Sequence, residues 1–364
     1  MIQSLSSSVK ELVIGKPLST DDAQHQAISK KVGLAVFASD ALSSVAYASQ
    51  EILVVLVGAV IFLGPQLAGG IAEAERQVFP LAIPISAAIA LLLLILTISY
   101  RQTIFAYPDG GGAYTVSRDN FGSTAGMIAA AALLIDYILT VAVSVSSGVA
   151  QIVSAFPVIL PYRAEVAIVL VMLITVINLR GVKESGAVFA VPTYGFITLM
   201  LLTMGVGAFK ALTGTLGTVP NPPELAHPLH GAETLGLFLI LKAFSSGCAA
   251  LTGVEAISNG IQAFKEPRSR NAANTLLVMS GLLGILFIGT TLLATATHAV
   301  PSETETVISQ IAKTVFGQST ILYGALVFAT TMILVVAANT AFADFPRLSA
   351  LAARDGYVPR QLGV

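Results

Sequence analysis

Apolar runs long enough to cross a bilayer recur along almost the whole chain, and nothing else constrains the fold as strongly. They lie near residues 32–63, 79–100, 124–156, 163–179, 187–209, 235–263, 275–297 and 320–343. A helix rises 1.5 Å per residue, so crossing the hydrocarbon core takes roughly 17–25 residues. Backbone groups in lipid must be satisfied within the segment, which makes such runs helices. Only 11% of the 364 residues are charged, against about 25% in soluble domains. The expected fold class is all-α integral membrane, with eight transmembrane helices.

Charge sets the expected topology. Fourteen of the 19 Lys and Arg residues fall in loops on one side of this arrangement. Arg76, Arg163, Lys210 and Lys313 fall on the other, and Lys242 is inside or capping the sixth run. Positive residues stay inside, so the N-terminus is expected in the cytoplasm. Residues 1–31 have no apolar core of the signal-peptide kind and read as a cytoplasmic lead-in. Residues 32–343 read as a membrane transport domain, and 344–364 as a cytoplasmic segment after it. A net charge of −1 excludes a nucleic-acid partner on electrostatic grounds. The single cysteine, Cys248, excludes an intrachain disulfide and a Cys-rich metal site.

Two of the runs are interrupted by small polar residues. The first contains Phe37-Ala38-Ser39-Asp40-Ala41-Leu42-Ser43-Ser44, and the sixth contains Phe244-Ser245-Ser246-Gly247-Cys248 and, further on, Glu255. A carboxylate at the bilayer centre costs roughly 2.5–3.5 kcal/mol on insertion scales, so its default reading is functional. The first run points outward and the sixth inward. Two broken helices, five apart and opposed, are the mark of an inverted-repeat transporter of the LeuT kind.

Three acids therefore stand out: Asp40, Asp136 and Glu255. Glu51, nearer the interface, reads as structural. In the third run Asp136, Thr140 and Ser144 recur every four residues and share a stripe, with Tyr137 beside it. Thr252 and Glu255 share a face in the sixth. Asp40 and Tyr47 would share one too, but a break between them weakens that projection. Carboxylates without a basic partner either take protons or bind cations, and oxygen ligands suit an alkali ion or a hard divalent ion. A rival substrate is an amino acid or polyamine, whose ammonium group Asp40 could bind. Cys248 reads as a small residue at a crowded break, and His227 and His230 as solvated loop histidines. The glycine-rich stretch 107–114 lacks the ending of a phosphate loop and reads as a tight turn. No nucleophile, base and orienting group occur together, so no enzyme activity is expected.

At these residues the chain resembles the amino acid–polyamine–organocation superfamily, and within it the KimA-type potassium importers, proton-coupled relatives of the KUP transporters. The resemblance is carried by FASDALSSVAYASQEIL (37–53), YPDGGGAYTVSRDNFG (107–122), IDYILTVAVSVSSG (135–148), FSSGCAALTGVEAISNG (244–260) and TAFADFPRLSALAARDGYVPRQLG (340–363). It implies a five-plus-five inverted-repeat fold and potassium bound by Asp40, Tyr47, Asp136, Tyr137, Thr140, Ser144 and Thr252. Asp40 and Asp136 would be the charged ligands of that ion, and Glu255 would couple protons. It implies no cofactor, a bacterial cytoplasmic membrane location and, as partners, potassium, protons and the lipid bilayer, with homodimerisation open. The family continues with further helices and a cytosolic domain. The resemblance therefore implies a second repeat lacking its last two helices here, leaving a fragment or a non-transporting subunit as an alternative.

Overall fold

The computed structural model describes residues 28–179, 186–220, 223–225, 233–359 and 361, and among them every regular element is helical. The first apolar run forms α1 (Lys30–Ser43), a 3-10 turn over Ser44–Ala46, and α2 (Ala48–Leu63). There follow α3 (Gly70–Val78), α4 (Ala82–Ala106), α5 (Gly112–Phe121), α6 (Ser123–Ala155), α7 (Arg163–Leu179) and α8 (Gly186–Leu212). The sixth run is α9 (Leu237–Gly247), a 3-10 turn over Cys248–Leu251 and a single helical turn, α10 (Ala256–Asn259). The chain continues with α11 (Arg268–Thr297), α12 (Val307–Phe316) and α13 (Ile321–Arg354).

Among the described residues seven helical stretches are long and apolar enough to cross a membrane. The sixth expected span, 235–263, is present only as the interrupted segment from α9 to α10, because its chain leaves the helical path after Leu251. α13 runs without interruption through residues 343 and 344 to Arg354. The two histidines at 227 and 230 and residues 1–27 lie outside the described residues.

Lipid in place of water explains the surface. Ile168, Val169 and Met172 on α7, and Ile135, Ile138 and Leu139 on α6, are exposed, as expected where the solvent is hydrocarbon. Burial instead concentrates on α1, α2 and the faces that cover them. α13 packs most extensively on α6 and also covers α1, while α4 packs on α11 and α2 on α9. The break in the first run divides the core. Phe37 to Tyr47 belong to one apolar cluster, with Ile257, Ile261 and Phe264, whereas Ala48 to Val60 belong to another, with Leu239 and Ala243.

The start of α1 is stitched to the chain after α10. Ile28 donates its N–H to Ala263 O at 2.8 Å and accepts from Lys265 N at 3.1 Å. Phe37 stacks on Phe264 with ring centroids 5.5 Å apart. A Cβ on Gly33 would lie 2.4 Å from the Phe264 ring. Gly33→Ala is therefore expected to push that ring off Phe37 and destabilise the protein by about 1–3 kcal/mol, the usual cost of overpacking. Thermal unfolding in detergent, with Gly281→Ala in open space as the reference, measures it.

A second clamp joins α5 to the end of α13. The buried Tyr114 donates its hydroxyl to Asp355 Oδ2, and Arg118 Nη1 reaches the same oxygen at 2.6 Å. Tyr114 first, then Arg118, hold the Asp355 carboxyl below the usual carboxylate range. The clamp is therefore intact at neutral pH and weakens only as pH falls through that lowered value.

Candidate functional site

The two breaks face each other, and serine hydroxyls bend the first. Ser43 Oγ donates to Asp40 O at 2.7 Å and Ser44 Oγ to Ala41 O at 2.6 Å. Such hydroxyls compete for the carbonyls of the preceding turn and bend helices. Ser44 Oγ also lies 3.1 Å from Ala250 O, across the gap in the second break. There Thr252 is extended and Gly253 has φ +76°.

Asp40 sits at this meeting point. It is 3% exposed, and a Cβ on Gly253 would lie 2.7 Å from its Cγ and Oδ2. Its Oδ1 has no hydrogen-bond partner among the described residues. Tyr47, which follows the 3-10 turn, is buried, and its hydroxyl interacts with that of Thr252. Thr252 in turn donates to Ala249 O at 3.0 Å.

On α6, Tyr137, Thr140 and Ser144 are buried and Asp136 is half-buried, so the expected stripe does turn inward. Ser144 Oγ, like Asp40 Oδ1, is buried with no partner. Glu255 is buried at the start of α10. Asp40, Asp136 and Glu255 act on one another electrostatically. None of the three has a basic partner among the described residues. Lys242, the one basic residue within the sixth run, is paired with Glu233 at 2.7 Å. Among the described residues no three His, Cys, Asp or Glu side chains converge as a metal cluster. The carboxylates are thus neighbours at some distance, with hydroxyl oxygens between their helices.

The amino acid permease family model matches residues 32–364. The chain belongs to this family. It is 47% identical over 357 residues to the potassium transporter KimA of Bacillus subtilis (strain 168), covering 98% of this chain and 56% of that protein. It is 24% identical over 283 residues to the low-affinity putrescine importer PlaP of Escherichia coli (strain K12), covering 76% of this chain and 60% of that one. The chain spans little more than half the length of these curated relatives. With seven long apolar helices among the described residues, this family member is a multi-pass membrane protein.

The structure adds residues that the sequence reading passed over. Asp344 on α13 and Tyr100 on α4 both interact electrostatically with this group of acids. Ser39 Oγ lies 3.4 Å from Thr340 Oγ1, tying the first break to α13. Asn259 Nδ2 donates to Tyr137 Oη at 3.3 Å. A cavity of about 90 Å³ opens beside them, lined by Phe37, Tyr137, Asn259, Asp344 and Leu351 among others. Spacing could have found Asn259, which lies four residues after Glu255. Glu51 behaves as a structural acid, accepting from Ser246 Oγ of α9 at 3.4 Å.

Proposed function

We propose that this chain forms the transport core of a secondary active transporter that imports potassium with protons by alternating access. The observation that carries the reading is Asp40: a buried carboxylate, one oxygen unpartnered, held where two helix breaks meet. A buried acceptor left unpaired costs about 1–3 kcal/mol, and more when charged. A bound cation would remove that cost. In this reading Asp40, Tyr47, Asp136, Tyr137, Thr140, Ser144 and Thr252 replace part of the hydration shell of potassium. Glu255 carries the proton, because it is buried among like charges and has no basic partner among the described residues. The fold would be the LeuT-like inverted repeat, with α1, α2, α9 and α10 rocking against α6, α7 and α13. The N-terminus would face the cytoplasm of a bacterial cell. The likeness to the KimA transporter supports the choice of ion.

The likeness to the putrescine importer, and the absence of a basic partner for the acids among the described residues, favour a second reading in which the site takes a polyamine. Uptake in cells without potassium importers of their own separates the two. The chain is compared with a form extended to the length of its relatives. Potassium uptake that putrescine leaves unchanged is the expected result in at least the extended form. Putrescine uptake without any potassium response would replace the first reading by the second.

A further inference from the structure

The glycine loop at 107–112 has no part in the proposed function, yet it lies against α10, the helical turn that follows Glu255. Gly110, Gly111 and Gly112 have φ of +88°, +93° and +47°. A Cβ on Gly110 would lie 2.8 Å from Asn259 O, and one on Gly112 only 2.1 Å from Asn259 Oδ1. Two requirements thus meet at these positions: left-handed backbone and no side chain between loop and α10. The loop is fixed on both flanks. Gln262 Nε2 donates to Pro108 O at 3.1 Å and to Asp109 Oδ1 at 3.2 Å. Beyond Gly112, Tyr114 is buried and bonded to Asp355.

Asn259 therefore stands between a fixed backbone and the Tyr137 phenol. Its Oδ1 faces Gly112 and its Nδ2 donates to Tyr137 Oη at 3.3 Å. We propose that Asn259 is a positioning residue, through which the glycine loop sets where the Tyr137 hydroxyl oxygen meets the substrate cation. The inference rests on the reading of Tyr137 as a cation ligand. An N–H donated to the phenol oxygen occupies one acceptor direction and holds the ring, leaving the remaining direction for the ion. The loop contributes no ligand of its own. Its effect on the site passes through one amide.

The test is a double-mutant cycle on potassium uptake, in whichever form of the protein transports. Asn259→Ala is expected to raise the potassium KM about fivefold, the size of one neutral hydrogen bond, with the maximal rate within about twofold. Tyr137→Phe should also raise KM, and the double variant should be no worse than the more affected single one. Gly112→Ala, whose Cβ displaces the amide, should reproduce the KM of Asn259→Ala. Membrane abundance and unfolding temperature are recorded for each. If Asn259→Ala does not accumulate, Asn259→Ser carries the cycle. Multiplicative effects in the double variant, or a fall in maximal rate at unchanged KM, would overturn the role of Asn259. An unchanged KM in Tyr137→Phe alone would instead overturn Tyr137 as a ligand. Absence of potassium uptake in every form would overturn the cation site itself.

Discussion

Asp40→Asn is expected to reduce potassium uptake to the background of empty cells, a loss of at least about 100-fold. The substitution keeps shape and volume and removes only the charge. A monovalent cation about 4 Å from a carboxylate gains about 4 kcal/mol at an effective dielectric near 20, worth roughly three powers of ten in affinity. The amide has a second penalty, because it turns two N–H donors toward a site built from carboxylate and hydroxyl oxygens. Asp136→Asn should fall in the same direction, since its charge acts on the same group of acids. Glu51→Gln is the reference, expected to keep uptake within about threefold because its carboxylate accepts from Ser246 Oγ and is not one of the proposed ligands. Uptake normalised to membrane abundance decides the matter. Wild-type affinity and rate in Asp40→Asn would remove that residue from the site.

Much of the fold was legible because lipid leaves the backbone few choices. The runs at 124–156 and 163–179 differ by a residue or less from α6 (Ser123–Ala155) and α7 (Arg163–Leu179). Legibility ended where packing, and not hydropathy, decides. The small polar residues from Phe244 to Cys248 mark a break in the sixth run, but not that its chain turns at Thr252 and Gly253 to lie against Asp40. By hydropathy the eighth run ends at 343, where Asp344 and Pro346 interrupt the apolar pattern. The helix continues because Leu348 and Ala352 bury against Tyr114, Ala130 and Tyr137. No local pattern announces a helix that is stabilised by residues 200 positions away.

The candidate site follows the same division. Asp40, Asp136 and Glu255 are conspicuous in sequence because charge is expensive in an apolar run. The Asp136, Thr140 and Ser144 stripe follows from helical spacing. Asp344, Tyr100 and Asn259 lie near run ends, where polar residues are ordinary, so only the tertiary fold brings them to the acids. The glycine loop is the plainest case. Turn chemistry accounts for glycines at 110–112, but their contact with Asn259 is what forbids a side chain there.

Gly253→Ala should be nearly as damaging as losing the Asp40 charge, although it adds a single methyl group. The residue has φ +76°, a conformation that costs an L-residue roughly 1–2 kcal/mol. The new Cβ would lie 2.7 Å from Asp40 Cγ and Oδ2 and 2.8 Å from Ala41 N. The second of these is backbone, so no rotamer change relieves it. Either the two breaks move apart or the carboxylate is displaced. The first outcome costs a further ~1–3 kcal/mol of packing and opens the Ser44–Ala250 contact. The second moves the charged ligand by a good fraction of an ångström. Both should lower uptake by at least about 50-fold, with an unfolding temperature below wild type. A glycine with no neighbour, Gly281 in α11, gives the contrast. Its alanine variant should transport normally and be as stable as wild type or slightly more so. Normal uptake and stability in Gly253→Ala would mean that Asp40 is not held against the second break, and the site would have to be built without that contact.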